Sequence, residues 1–201
     1  MVLIEDKLNL PLDIVRYINS FLNRPLNDET IRTAVNLWFS NEEECVKKYG
    51  HISEWNVFNV TDMSDLFNRK NNFNEDISRW RVDNVTNMSG MFHNAPKFDL
   101  PLNNWNTSNV TSMRNMFYDA KNFNQDLNNW NTSNVTDMRG MFTFCRYFNS
   151  PLDKWDTSKV TDISYMFYYA DNFNQELKKW NVSKVKNMHL CRKKNPRRFK
   201  K

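Results

Sequence analysis

The 201-residue chain is poor in the residues that many functional sites need. Glycine occurs only 3 times, which argues against glycine-rich phosphate loops and dinucleotide-binding turns. Cysteine also occurs 3 times, an odd number at scattered places, so we expect no disulfide framework. No apolar run is long enough for a transmembrane helix, and residues 1–13 hold acids and no signal-peptide core. These absences predict an intracellular protein without membrane contact.

Asparagine is in excess, and the charge is unevenly distributed. The chain has 32 asparagines and a formal net charge of +5. Residues 184–201 hold nine Lys and Arg and no acid, which leaves 19 basic against 23 acidic residues elsewhere. The body is therefore mildly acidic and the C-terminal tail is basic.

An internal repeat of 25 residues organises most of the chain. Tryptophan returns without insertion at residues 55, 80, 105, 130, 155 and 180. With each tryptophan counted as position 1, valine recurs at position 6, phenylalanine at positions 13 and 19, and leucine or isoleucine at position 23. Five complete units run from residue 55 to residue 179, and a sixth begins at Trp180. Stacked units would align these positions into columns of one core.

The pattern inside one unit predicts one short helix and one short extended segment. In units two to five, positions 9, 12, 13 and 16 are apolar or small at the i, i+3, i+4, i+7 spacing of a helix face. The partly β-branched residues before them, such as 106–110, suit a brief strand or extended edge. Trp105 and Phe117 should then be interior. Asparagines recur at positions 5 and 20, where we expect them to bond the backbone of the turns.

The segment WNTSNVTSMRNMFYDAKNFNQDLNNW resembles the 25-residue unit of BspA-like leucine-rich-repeat proteins, and residues 26–55 resemble the segment that precedes those repeats. That family occurs on bacterial surfaces and, expanded, in amoeba-infecting giant viruses. The bacterial members carry secretion signals, of which this sequence shows none, so the resemblance favours the intracellular viral type in the host cytoplasm or nucleus. It implies a non-enzymatic protein–protein interaction scaffold with an unidentified protein partner.

Together the repeat and the resemblance define three predicted regions. Residues 55–190 are predicted to form an α/β repeat solenoid, leucine-rich-repeat-like, with one short strand or extended edge and one short helix per unit. Residues 1–54 are predicted to form an all-helical N-terminal cap, and residues 191–201 a basic tail. Within the cap, one helix should begin at Asn27 or Asp28, and a shorter helix should run from a Ser40–Glu43 capping box to a stop at Gly50. The apolar face of the first of these helices holds Ile31, Ala34, Val35 and Trp38.

Residues 10–22, LPLDIVRYINSFL, resemble the opening of an F-box. That motif begins with Leu-Pro and continues as an amphipathic helix that ends near Phe-Leu. The resemblance implies docking on a Skp1-type partner, with the repeats holding a substrate for ubiquitylation. The alternative is that this segment only covers the first repeat, because the open ends of repeat stacks need covering.

The basic tail is a candidate nuclear-targeting or nucleic-acid-binding segment. A solvated tail without such a role is the alternative. The residues that would carry the function are Arg192, Lys193, Lys194, Arg197, Arg198, Lys200 and Lys201.

Catalytic signatures are missing. His51, His93 and His189 are far apart, and the sequence holds no zinc-protease, paired-cysteine, nucleophile-elbow or Walker motif. Cys145 stands where other units carry alanine, which favours a small apolar role over a nucleophile. The sequence predicts no enzyme, no cofactor and no metal.

A candidate partner-binding surface comes from the positions that a helix in each unit would turn outward. Positions 10, 11, 14 and 15 are polar in the first unit but carry arginines and aromatic residues in units three to five. Such residue types are enriched at interface hot spots, although single exposed aromatics are also normal. The candidate residues are Arg114, Tyr118, Arg139, Phe144, Tyr165, Tyr168 and Tyr169.

Overall fold

The computed structural model describes residues 25–191. Helix α1 spans Asp28–Ser40, helix α2 spans Glu42–Tyr49, and a 3-10 helix spans Ile52–Glu54. From residue 55 to residue 191 the chain forms turns, with no further helix and no strand. The F-box-like residues 10–22 and the tail from residue 192 lie outside the described residues. No helix in the described part is long and apolar enough to cross a membrane.

Helix α1 begins where the sequence predicts it. The Asn27 side chain accepts hydrogen bonds from the backbone N–H groups of Glu29 and Thr30. The Thr30 hydroxyl accepts in return from the Asn27 N–H, which completes a capping box. The predicted apolar face is confirmed, since its members are all buried: Ile31, Ala34, Val35 and Trp38.

Helix α2 is capped by a different residue from the one predicted. Ser40 ends α1 instead, and its hydroxyl donates to the Leu37 carbonyl. Asn41 therefore takes the capping place, and its side chain accepts from the Glu44 N–H at 3.1 Å. Gly50 ends α2 as predicted, at a φ of 76° that suits glycine.

The predicted α/β repeat solenoid is wrong. A helix needs each N–H to bond a carbonyl of its own preceding turn, whereas here positions 9, 11, 13 and 15 donate to carbonyls of the following unit. In the first unit, the Asp65 N–H reaches the Ser89 carbonyl at 2.8 Å, and the Phe67 N–H reaches the Met91 carbonyl at 2.8 Å. In place of strands, the described units share only isolated parallel bridges at position 8: Asp62 with Asn87, Asn87 with Ser112, Ser112 with Asp137, Asp137 with Asp162, and Asp162 with Asn187.

Short turns replace the predicted helix. The N–H of position 12 bonds the carbonyl of position 9, and position 14 bonds position 11 in the same way, as Asn68 does to Asp65 at 3.0 Å. A further turn joins position 16 to position 13, where the Ala95 N–H bonds the Phe92 carbonyl at 3.1 Å. In units two to five, these hydrogen bonds between residues three apart direct positions 9, 12, 13 and 16 toward the core without an α-helix.

The apolar columns are nevertheless buried. Trp105 is 3% exposed and Phe117 is 0% exposed, which confirms that both are interior. The phenylalanines at positions 13 and 19 stack inside each unit with ring centroids 3.8 to 4.1 Å apart. Successive rings at position 13 follow one another at 5.4 to 5.7 Å, so a double column of phenylalanine runs through the stacked units.

Asparagine side chains bond the backbone between units, as predicted. At position 20, the side chain of Asn124 accepts from the Asn149 N–H at 2.7 Å, and Asn149 accepts from Asn174 at 2.8 Å. At position 5, Asn109 donates to the Asp83 carbonyl of the preceding unit at 2.7 Å. These bonds satisfy turn groups that have no helix or strand partner, which accounts for much of the asparagine excess.

Candidate functional site

Two positions in each of the five complete units hold the backbone in the left-handed region. Positions 11 and 15 have φ values from 48° to 64°. Glycine, asparagine and aspartate tolerate this region, whereas bulky residues rarely adopt it. The first three units keep to that rule apart from Arg69, but units four and five place aromatic residues there: Phe144, Tyr165 and Tyr169.

Glycine at position 11 makes room for the side chain of the preceding unit. A Cβ at Gly90 would collide with the Asp65 carboxylate, and a Cβ at Gly140 would collide with the Asn115 carboxamide. Position 11 thus alternates between a side chain and a bare glycine up to unit four. Tyr165 occupies position 11 of the fifth unit. The residue at position 11 of the preceding unit is Gly140, so the Tyr165 side chain meets no other side chain from that position.

Seven aromatic residues of units two to six form one connected set of rings, and the exposed Tyr147 at position 18 is not part of it. We name this set the aromatic row, and it consists of His93, Tyr118, Phe144, Tyr165, Tyr168, Tyr169 and His189. Ring centroids of His93 and Tyr118 lie 4.6 Å apart, those of Tyr118 and Phe144 lie 5.6 Å apart, and those of Phe144 and Tyr169 lie 5.1 Å apart. The row continues from Tyr168 to Tyr165 at 5.8 Å and from Tyr165 to His189 at 5.5 Å. It spans five consecutive units.

The structure brings together six of the seven residues that the sequence predicted for partner binding. The five predicted aromatic residues are half-buried members of the row. The guanidinium of Arg139 lies over the Tyr165 ring at 5.7 Å. Arg114 is exposed at the equivalent position of the preceding unit and has no ring contact among the described residues. The residues point outward because of the turns rather than a helix, and their role in binding stays a prediction.

The sequence reasoning missed the two histidines of the row. His93 shares position 14 with Tyr118 and Tyr168, and that shared position is the signal that could have found it. Burial lowers the pKa of His93, and the Arg69 charge adds to the effect, while Asp65 and Asp119 oppose it. The ring is therefore neutral at pH 7, which suits its packing against Tyr118.

Cations flank the aromatic row. We name positions 10–18 of units two to five the turn face, which covers residues 89–97, 114–122, 139–147 and 164–172. Two acids lie on it, Asp119 and Asp171, against five exposed cations: Lys97, Arg114, Lys121, Arg139 and Arg146. The intervening residues 98–113, 123–138 and 148–163 carry two cations against six acids. The turn face is therefore positive and the rest of these units is negative.

Cys145 and the aspartates at position 8 have structural roles. The Cys145 thiol is buried, lies 2.7 Å from the Phe117 carbonyl and has its pKa raised by burial. Asp137 and Asp162 each accept from the N–H two residues further on, which is a turn-capping role. Between residues 25 and 191 no three His, Cys, Asp or Glu side chains are grouped to hold a metal ion. The predicted basic residues of the tail lie outside this range.

Sequence comparison gives the repeats a family. The family described as "Mycoplasma protein of unknown function, DUF285" matches residues 33–143 and 101–198. The chain belongs to this family. DUF285 is associated with BspA-like repeat proteins, which agrees with the predicted resemblance at the level of the repeat. No curated protein and no solved structure matches this DUF285 chain.

Proposed function

We propose that this protein is a non-enzymatic protein–protein interaction scaffold of the BspA-like repeat type, and that the aromatic row is its contact surface. One observation carries the proposal: seven outward rings from five consecutive units touch one another in an unbroken series. A continuous outward aromatic surface is a common mark of an interaction site.

The backbone under the row supports this proposal. A bulky residue in the left-handed region costs about 1–2 kcal/mol relative to glycine. Phe144, Tyr165 and Tyr169 all lie there, at positions that the other units fill mostly with glycine, asparagine or aspartate, apart from Arg69 and Leu190. Aromatic residues at these positions lower stability, and a role in binding gives a reason for keeping them.

The packing of the rings also suits recognition. Tyr168 meets Phe144, Tyr165 and Tyr169 edge-on, at interplanar angles of 69° to 87°. Rings held by their neighbours lose little conformational entropy when a partner docks, so more of the contact energy remains for affinity. Tyrosine and arginine, which supply most of this surface, are frequent hot-spot residues.

A pull-down with the full chain tests the proposal. The variant Phe144→Ser/Tyr168→Ser should recover a partner at least tenfold less efficiently than the wild type, with a similar melting temperature. Phe58→Ser is the control, because Phe58 is 38% exposed and carries the Arg81 guanidinium over its ring at 4.7 Å, yet lies at position 4. Equal recovery by all three proteins would reject the aromatic row as the contact surface.

Two alternative functions rest on segments outside the described residues. An F-box-type adaptor would use residues 10–22 to bind a Skp1-type protein, and co-purification with Skp1 tests it. A nuclear or nucleic-acid role would use residues 192–201, and salt-sensitive retention on DNA tests it, with a chain ending at residue 191 as the control. The giant-virus resemblance adds an intracellular setting to the proposal, which the distribution of a tagged full chain would check.

A further inference from the structure

We infer that the turn face takes an acidic amphipathic α-helix of a partner protein, lying along the direction in which the units stack. This inference rests on the proposed function and adds the chemistry of the partner. Its basis is the combination of the aromatic row, the cations beside it and the spacing of the units.

The charges select an acidic partner. Lys97, Arg114 and Arg146 are exposed and form no ion pair with any described residue. Of the two acids on the turn face, Asp119 is already paired with Lys121 at 3.7 Å. The available charge on this surface is therefore mostly positive, and complementary potentials favour carboxylates on the partner.

The order of residues along each unit sets out where those carboxylates belong. In units three and four arginine occupies position 10, the rings occupy mainly positions 14 and 15, and units two to four carry one further cation each at position 17 or 18. A partner with one apolar stripe between two acidic edges matches this order. An amphipathic helix has that distribution of side chains.

The spacing of the units favours a helix over an extended segment. Successive phenylalanine rings at position 13 lie 5.4 to 5.7 Å apart. An α-helix rises about 5.4 Å per turn, so each turn meets one unit, and acids three or four residues apart meet equivalent cations. Side chains on one face of a strand recur about every 6.6 Å, so they fall out of register with the units within three intervals.

Two other occupants fit less well. Nucleic acid would need several ring faces open for stacking, whereas the row's rings from His93 to Tyr169 are half-buried and contact one another. The exposed Tyr147 offers a single separate ring on the turn face. A second copy docking through its own turn face would bring two positive surfaces together. Docking of the turn face onto the acidic remainder of another copy would produce self-association, which the experiment below detects.

Fluorescence anisotropy with the full chain tests the inference. The probe is a labelled synthetic helix of five turns with leucine along one stripe and glutamate along both edges. Matched probes replace every glutamate by lysine, or consist of a 15-nucleotide poly(U) RNA. Only the glutamate helix should bind, and its Kd should rise at least threefold between about 50 and 300 mM salt because exposed charges are screened.

Charge-matched variants locate the binding surface. Lys97→Glu/Arg146→Glu should weaken binding of the glutamate helix at least tenfold. Lys154→Glu/Lys159→Glu changes the net charge equally but lies outside the turn face, so its Kd should change less than twofold. Sedimentation and thermal melts establish that each variant is folded and whether the chain self-associates.

The outcomes separate this inference from the proposed function. If Phe144→Ser/Tyr168→Ser loses its partner in the pull-down while Lys97→Glu/Arg146→Glu retains it, the aromatic row binds but the acidic helix is wrong. Preference for poly(U) would assign the surface to nucleic acid, and salt-sensitive self-association would assign it to a second copy. Either result overturns the inference, as does equal weakening by both charge variants.

Discussion

At the scale of single residues, the left-handed backbone at positions 11 and 15 decides which side chains a unit can carry. Gly90 and Gly140 account for two of the three glycines, and both occupy position 11. They meet two demands at once, since their φ values are 64° and 63° and their Cβ space is filled by the preceding unit. Glycine is scarce because few other places combine these constraints.

Gly140→Ala should destabilise the protein by about 1–2 kcal/mol, the usual cost of a left-handed non-glycine residue. The collision of the new methyl group with the Asn115 carboxamide adds to this cost. Urea unfolding followed by tryptophan fluorescence would measure the change.

The double variant Asn115→Gly/Gly140→Ala separates the two causes. Removing the carboxamide relieves the collision but leaves the backbone at position 11 of unit four left-handed, so we expect partial recovery relative to Gly140→Ala. The single variant Asn115→Gly provides the matched reference. An unchanged midpoint for Gly140→Ala would show that the turn can relax at little cost, contrary to the conformation described above.

At the scale of elements, helix α1 satisfies the exposed backbone edge of the first unit. In later units the N–H of position 7 bonds the carbonyl of position 7 one unit earlier. The first unit has no such predecessor, and the Asp28 carboxylate accepts from the Thr61 N–H at 2.6 Å and the Asp62 N–H at 3.0 Å instead. Arg32 donates to the Ser64 carbonyl at 2.8 Å. The Asp28 carboxylate thus accepts from the unpaired N–H groups of the first unit, and the Arg32 guanidinium donates to an unpaired carbonyl.

Asp28→Ala should therefore lower the free energy of unfolding at pH 7 by about 1 kcal/mol, because the partly exposed backbone donors lose a charged acceptor that water only partly replaces. Burial raises the pKa of Asp28, but the hydrogen bonds from Asp62 and Thr61 together outweigh it, and the pKa lies below its ordinary 3.8. The stabilisation is present above 3.8 and is lost as the pH falls through the lowered pKa.

The difference in unfolding free energy between wild type and Asp28→Ala should accordingly shrink below about pH 4. Chemical denaturation at a series of pH values measures it. Glu29→Ala is the control, since Glu29 shares the first turn of α1 but is exposed. A difference that persists undiminished at pH 2 would argue against a charged Asp28 as the source.

Helix α1 could be predicted from the sequence, whereas the turns of the repeats could not. Helix α1 was predictable because its Asn27 cap and apolar face follow local rules that hold in isolation. The helix in each repeat was wrongly predicted, because the spacing of positions 9, 12, 13 and 16 is shared by consecutive three-residue turns. The distinguishing signal was the recurrence of Gly, Asn and Asp at position 11, in the middle of the expected helix.

Most members of the candidate site were predictable from the sequence, but its two histidines and the contacts between the rings were not. Tyr118, Phe144 and Tyr168 were recognisable as outward residues from the repeat alone. Their contact depends on the distance between units and on left-handed turns, which come from backbone bonds between residues about 25 apart. His189 escaped notice because position 10 carries no other ring.

At the scale of the whole molecule, the units are interchangeable in the contacts that hold them together. Each unit donates N–H groups at fixed positions to the next, and the columns of phenylalanine and asparagine repeat with the same period. Stability should then be close to a sum of unit and interface contributions. The period of 25 residues, rather than chain length, is what the fold requires.

Deleting residues 105–129, one complete unit, should leave a folded protein. It joins unit two to unit four, brings Gly90 beside Gly140 without a collision, and allows the Asp99 side chain to accept from the Asn149 N–H as it now does from Asn124.

Deleting only residues 105–117 removes fewer residues but leaves 118–129 with no complete unit to stack. Those residues must loop out and expose Phe123, and closing a loop of this size costs roughly 2 kcal/mol. Urea unfolding should show a cooperative transition with a smaller m-value for the complete-unit deletion, since less surface is exposed. The partial deletion should be the less stable of the two, and the opposite ranking would mean that the period does not govern the stack.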